Sequence, residues 1–484
     1  MKRFFQFCLV IVALIGAYNV YKPLPADLDY TGSLYTVPDS SVEFLVDRTY
    51  TDSAGVQQFD HEIFDTILDQ VRTADSYILA DMFLFNDQLG TALSARRGLS
   101  GELAAALVAR ASSTPGLQLF VITDPINSAY GSYTPSALHV LTEVNVPLVT
   151  TDLTVLRDSN PLYSAFWRTI LRYVPNIGGQ WLPNPFDSTH EESTISAYLR
   201  SFNFKANHRK LLLTNHQVGE VLEWRTLITS MNPHDGSSRH GNVGILLRDA
   251  LAADVLKTEQ VVVQFSSDFD TTPREIILPT TVDVATNTIE VQLLTERAIK
   301  DQVLKTIDAL RSGDSVKLAM FYFSDRDIVN AIKAADQRGV TIQILFDPNK
   351  DAFGREKNGI PNRQVAHELV TDSTSNITIR WCKTNGEQCH AKLLITKSGE
   401  RVEVILGSAN FTRRNLENYN LETDVRLIGT ASSTAITEAI TFFDESWDNQ
   451  NGKEYSVPYE TFADDSLLRT IWYRMGEFTG ISHY

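Results

Sequence analysis

The chain has 484 residues, 43% of them hydrophobic, and carries a formal charge of −16 at pH 7. That length allows two to four domains with sizeable cores, while the acidic balance excludes the broad basic face that DNA or RNA binding takes, so no nucleic-acid partner is expected. A small cationic pocket remains possible, and contact with a membrane would need an apolar or anchored element.

Such an element stands first. Met1-Lys2-Arg3 is basic, and Phe4 to Tyr18 is apolar apart from Gln6 and small residues, which is the pattern of an export signal. The run is short for a comfortable transmembrane helix of about 20 residues, and Ile15-Gly16-Ala17 is a mediocre cleavage site. Residues 1–25 are therefore expected to be a signal peptide or a retained anchor, with the body exported: membrane-anchored, periplasmic or extracellular. Tyr21 to Ser40, with its Pro, Asp and Gly, suggests a tether.

Ile63, Phe64, Ile67, Leu68 and Val71 then have helical spacing. Tyr77 to Phe85 is a near-continuous apolar run, as in a strand covered on both faces. A helical stretch follows around 101–111, then a strand over Leu117–Thr123 ending in Asp124-Pro125. Ser128 to Ser201 is an insertion holding Phe166, Trp167, Tyr173, Trp181 and Phe186 among prolines. It suits a lid that seats acyl chains, a membrane-facing segment, or an extra helical hairpin packed on the core.

The order then recurs. Ile299–Leu310 is helical, Val316–Phe323 is an apolar strand, Ile328–Gln337 is helical, and the strand Thr341–Phe346 ends in Asp347-Pro348. The segments 82–87 and 320–325 match locally, as do 265–270 and 443–448. Ser408 follows Ser230 by 178 positions, and His390 follows His208 by 182. Order is kept and spacing drifts through insertions, which marks a duplication: an N-terminal domain over 42–270, a C-terminal domain over 288–455 and a tail over 456–484, with a boundary near Thr271–Asn287. Cys382 and Cys389 flank Asn385-Gly386, a hairpin-turn signal. A disulfide across that hairpin is expected to pin the strand carrying His390.

The chemistry sits in the repeated words. His208-Arg209-Lys210 and Cys389-His390-Ala391-Lys392 each enter an apolar run, so each histidine shares a strand face with the lysine two residues on. A lysine facing a partly buried site is costly without an anion. Ser230-Met231-Asn232 and Ser408-Ala409-Asn410 follow, each offering an amide to a phosphoryl oxygen. Asp124 and Asp347, before prolines, read as turn or cap residues. His216, His234 and His240 lack a spaced ligand set, so no metal is expected.

These motifs resemble those of the phospholipase D superfamily, which duplicates His-x-Lys…Asp followed by Gly-Ser-x-Asn. The likeness runs from about Val42 to Asp448, and the C-terminal copy is the closer match. It implies an α/β fold of two similar lobes, each a central sheet flanked by helices, sharing one active site at their interface. It also implies metal- and cofactor-independent attack of one histidine on a phosphodiester while the other protonates the leaving alcohol. His208, Lys210, Asn232, His390, Lys392, Asn410 and Glu422 would form that site. The family's Asp is Asn215 in the first copy and Lys397 in the second. Glu422 is expected to hold the ring of His390. Its counterpart on a constant offset is Gly244, which leaves His208 without such a partner, and either histidine could be the nucleophile. A phospholipid substrate at a membrane, as for a phospholipase D or a cardiolipin-synthase-like enzyme, fits the export segment and acidic body. The alternatives are an exported nuclease of the same superfamily and a catalytically weakened, membrane-tethered binding protein.

Overall fold

Strand-length apolar runs separated by segments of helical spacing build a mixed sheet from each half of the chain. The computed structural model describes residues 1–89, 97–174, 180–187, 192–274, 287–352 and 355–482. The first sheet runs, in spatial order, Val42–Asp47, Asn242–Arg248, Val221–Thr229, Lys210–Val218, Tyr77–Met82, Gln118–Thr123 and Leu148–Thr150. The second runs Tyr35–Pro38, Thr288–Thr295, Thr423–Thr430, Arg401–Gly407, Lys392–Ser398, Ser315–Met320, Thr341–Phe346, Ile377–Cys382 and Ser456–Pro458. Leaving out its two edge strands, the second sheet repeats the first in order and direction: four antiparallel pairings, then two parallel ones.

Burial explains the pattern. Tyr77–Met82 is buried at every position, as a strand covered on both faces must be. The helix Glu62–Thr73 turns Ile63, Phe64, Ile67, Leu68 and Val71 onto one face of the first sheet. Arg297–Ala309 and Arg326–Gln337 do the same for the second. The other faces meet each other. Leu211, Leu213, Val243 and Ile245 from one half share a single core with Leu393, Ile395, Val425 and Leu427 from the other.

Four readings change. The segment before Ser40 is no tether: Leu28 is fully buried, Thr31 bridges Leu294, and Tyr35–Pro38 pairs antiparallel with Thr288–Thr295. It straps the N-terminal half onto the other half's sheet. The insertion starts later, because Ser136–Glu143 and Leu148–Thr150 match Asn362–Asp372 and Ile377–Cys382 as helix and parallel strand; the extra chain is about 151–201. Residues 456–484 are not a tail, since Ser456–Pro458 joins the sheet and Leu467–Thr479 is a helix. Cys382 and Cys389 are bonded, but not across a hairpin. Cys382 ends the strand Ile377–Cys382 and Cys389 precedes Lys392–Ser398, and Ser315–Met320 and Thr341–Phe346 lie between those two strands. Most of the boundary region, 275–286, lies outside the described residues.

Candidate active site

Both His-x-Lys words lie where the two sheets touch, related by a pseudo-twofold exchange. His208 donates its amide to the Leu421 carbonyl at 2.9 Å, and His390 donates to the Gly241 carbonyl at 2.8 Å. The next residue on the accepting strand then reaches the ring. Glu422 lies 3.0 Å from His208 Nδ1, and Asn242 Oδ1 lies 3.2 Å from His390 Nδ1. Each histidine is thus held, backbone and ring, by the opposite half of the chain.

This corrects the expected pairing of Glu422 with His390. The constant offset fails between Ser408 and the following strand. Ser408 N–H donates to Thr423 O, fifteen residues on, whereas Ser230 N–H donates to Val243 O, thirteen on. The strands therefore align Glu422 with Asn242 and Asp424 with Gly244. Asn242, missed by the sequence reading, is the true counterpart. Its amide orientation is set by a network: Nδ2 donates to the His240 carbonyl at 3.0 Å and to Asp47 at 3.3 Å, leaving Oδ1 for His390 and Ser230 Oγ.

The other groups keep the exchange symmetry. Lys210 Nζ and Lys392 Nζ each donate to the carbonyl of their own histidine, at 2.6 and 2.7 Å. Each also faces a phenylalanine ring, Phe83 at 4.9 Å and Phe321 at 5.0 Å. The same rings pack against His208 and His390, with centroids 4.6 and 4.9 Å apart. These rings follow the paired strands Tyr77–Met82 and Ser315–Met320 directly. Among the described residues no carboxylate forms an ion pair with either lysine, although both are essentially buried. Asn410 is buried and its Oδ1 has no protein partner, so its carboxamide is uncommitted. Among the described residues Asn232 Oδ1 makes a single long contact, 3.4 Å, with the Leu84 amide. Buried ammonium groups and an uncommitted amide need an anion to complete them.

Carboxylates position rather than react. Asp124 accepts from Ile126 N and Asn207 N, and Asp347 from Asn349 N and Cys389 N. Each caps a turn and holds the residue just before a histidine. Asn215 accepts from Ser76 N and Tyr77 N at 2.9 Å each, anchoring the start of the central strand, whereas Lys397 lies exposed beyond the sheet core. Glu422 itself is held by Ser408 Oγ at 2.5 Å and by Asn415 Nδ2. Behind it, the fully buried Arg209 joins Glu259 at 2.6 Å and Glu296 at 2.7 Å, and Glu296 accepts the Glu422 amide at 3.1 Å. No group of three His, Cys, Asp or Glu that could hold a metal occurs among the described residues.

Residues 303–447 match the family described as cardiolipin synthase, phospholipase D-like domain. The C-terminal half therefore carries a phospholipase D-like domain. The matched residues lie in the C-terminal sheet and its helices; the N-terminal half repeats the same strand order. Phosphatidylserine synthase from Haemophilus influenzae Rd KW20 is similar in fold, with a TM-score of 0.59 at 10% identity over 94% of this chain and 97% of that one. NucT from Helicobacter pylori matches over 33% of this chain and 96% of its own, with a TM-score of 0.27 at 22% identity. No curated protein matches in sequence.

Burial governs titration in this phospholipase D-like site. Desolvation, then Lys210 and Lys392, push His208 well below the usual imidazole range. Desolvation, Lys392 and His240, whose ring centroid lies 5.8 Å away, do the same to His390. Lys210 falls to about 7, mainly through burial, with Glu422 and Asp81 holding it up. Lys392 is also lowered, by burial and then by Lys210. Glu422 rises to about 8 through burial, opposed by Lys210, Ser408 and Asn415. Burial thus disfavours positive charge in the site, and a phosphodiester anion would favour it.

Proposed function

We propose that this chain is a phosphodiesterase or phosphatidyltransferase acting on phospholipids at a membrane, without metal or cofactor, through a covalent phosphohistidine on His208. The observation that carries the assignment of roles is the unequal backing of the two rings. Glu422 lies against His208 Nδ1, and a neutral amide lies against His390 Nδ1. With its Nδ1 proton directed at a carboxylate, His208 presents an Nε2 lone pair. When that lone pair bonds to phosphorus the ring becomes cationic, and Glu422 stabilises the charge. Lys210, Lys392, Asn232 and Asn410 gather the non-bridging oxygens.

His390, charged once the anion is bound, gives its Nε2 proton to the leaving alcohol as the phosphorus–oxygen bond breaks. It then takes a proton from water or a second alcohol, whose oxygen attacks phosphorus and releases His208. The apolar helix Lys2–Tyr21 and the family match to a cardiolipin synthase domain support a lipid substrate. The retained anchoring by Asn215 and the presence of Glu422 weigh against a weakened, binding-only protein.

The test supplies phosphorus-labelled phosphatidylglycerol, phosphatidylcholine or single-stranded DNA with chelator present, then quenches in denaturant. Label should appear on protein from lipid, survive base and leave in acid. His208→Ala should carry none. Labelling only from DNA, or undiminished labelling of His208→Ala, would sink the reading.

A further inference from the structure

The helix Leu467–Thr479 shows its apolar side to solvent. Leu467, Leu468, Ile471, Trp472, Met475 and Phe478 recur at helical spacing and are exposed, Leu468 by 80%, Trp472 by 74% and Phe478 by 87%. A soluble helix turns such a stripe inward. Here the inward residues are Tyr473 and Glu477, which fasten the helix to one point: Tyr473 OH donates to Ser324 O at 3.3 Å, and Ser324 Oγ donates to Glu477 at 2.9 Å. Arg413 donates to the Glu477 carbonyl at 3.0 Å, and Arg474 pairs with Glu368 at 2.8 Å. The apolar stripe is therefore presented by deliberate polar anchoring.

Its position identifies what it meets. Ser324 lies three residues beyond Phe321, which packs on His390, and Arg413 lies three beyond Asn410. The helix is fastened to the two segments that run out from the active site, after Phe321 and after Asn410. Its far end, Gly480, touches the backbone of Ser159 so closely that a Cβ would overlap that carbonyl. Ser159 leads into the helix Pro161–Thr169, which exposes Leu162, Phe166 and, just past its end, Ile170. That helix in turn packs on Lys2–Tyr21, where a Cβ at Gly16 would sit 3.0 Å from Ala165 Cβ. Lys2–Tyr21 is mostly exposed and is long and apolar enough to cross a membrane. The three helices therefore adjoin one another, and each exposes apolar side chains.

We propose that Leu467–Thr479 is an interfacial helix that lies in the headgroup layer of the bilayer entered by Lys2–Tyr21, with Pro161–Thr169 between them. Trp472 is suited to that layer, and Arg469 and Arg474 flank the stripe as polar-side cations. With a body of charge −16, apolar insertion rather than attraction to anionic lipid drives the contact, so it should persist in salt. The surface gives the proposed lipid chemistry its approach to substrate, and to that extent it builds on the preceding reading.

The experiment reconstitutes the full chain into phosphatidylcholine vesicles with and without brominated acyl chains, and compares it with Trp472→Phe. The fluorescence difference, which reports Trp472, should be quenched several-fold more by brominated lipid than by aqueous acrylamide. Quenching by acrylamide alone overturns the proposal. Protection from both quenchers, with cross-linking to a dimer, overturns it in favour of a second copy of the chain. In addition, Leu468→Glu with Phe478→Glu should cut turnover of vesicle lipid about tenfold while leaving that of a water-soluble nitrophenyl phosphodiester unchanged. Equal loss on both substrates would count against the surface. Lipid quenching without lipid turnover would leave the surface standing and refute the lipid-substrate reading instead.

Discussion

A carboxylate and a carboxamide, Glu422 and Asn242, occupy equivalent places against the two histidines. If the carboxylate stabilises a phosphorylated ring, Glu422→Gln should slow labelling of His208 by roughly 10²–10⁴-fold, as when a catalytic imidazole loses its carboxylate. The loss should be the same for good and poor leaving groups. Asn242→Ala should instead harm alkyl esters far more than nitrophenyl esters, since only the former need a proton from His390. Pre-steady-state labelling with both substrates separates the two; equal patterns for both variants would contradict the role assignment. The lysines make a second prediction. Lys210 is lowered to about 7, chiefly by burial, and a bound anion would raise it again. Binding above that pH must therefore take up a proton, so sulfate affinity should be greatest below pH 7. It should fall as pH rises, by about tenfold per unit for each proton taken up. Titration calorimetry in buffers of different ionisation enthalpy measures the uptake, and a flat profile from pH 6 to 9 would refute it.

The repeated strands were legible because their apolar runs and His-x-Lys alternation are local. Thr341–Phe346 is a strand over the residues its apolar run marks. The partner of each histidine was not local. It depends on strand register, and two extra residues between Ser408 and Thr423 moved Glu422 onto the other lobe's histidine. Leu148–Thr150 was hidden because a three-residue strand has too few positions to show a period. The stretch from Leu467 to Phe478 reads in sequence as part of a tail, and its outward apolar face is visible only once the packing is known. At this scale the disulfide also bears on the site. Cys389 adjoins His390, donates its amide to Asp347 at 2.8 Å, and is tied to Cys382 seven residues earlier. By loop-closure entropy such a short ring contributes about 2–3 kcal/mol. Cys382→Ser should lower the thermal midpoint measurably in non-reducing buffer, and reductant should then have no further effect on the variant. An unchanged midpoint would show the bond adds nothing.

Across the whole molecule the two sheets are fastened by more than contact. Tyr35–Pro38 leaves the N-terminal half to become the edge of the other sheet, one core draws side chains from both, and Arg209 pairs with Glu259 and Glu296 from either side of the boundary. A chain so interleaved should unfold in one calorimetric transition, and residues 288–484 expressed alone should fail to give a soluble, cooperative fold. Two resolved transitions would contradict this. The duplication was evident from the sequence, yet the interleaving was not, because a segment's own composition says nothing about which sheet it will join.

The exchange of partners between the halves has a consequence for biogenesis. A chain being made from its N-terminus has His208 and Lys210 long before Glu422 exists, and His390 becomes competent only when its strand meets Gly241 and Asn242. During synthesis the nascent chain already carries Lys2–Tyr21, the segment suited to lipid. On the proposed chemistry neither half would cut phosphodiesters by itself, so an unfinished or misassembled chain would sit beside a bilayer without attacking its lipids. Completion of the fold is the licence for chemistry.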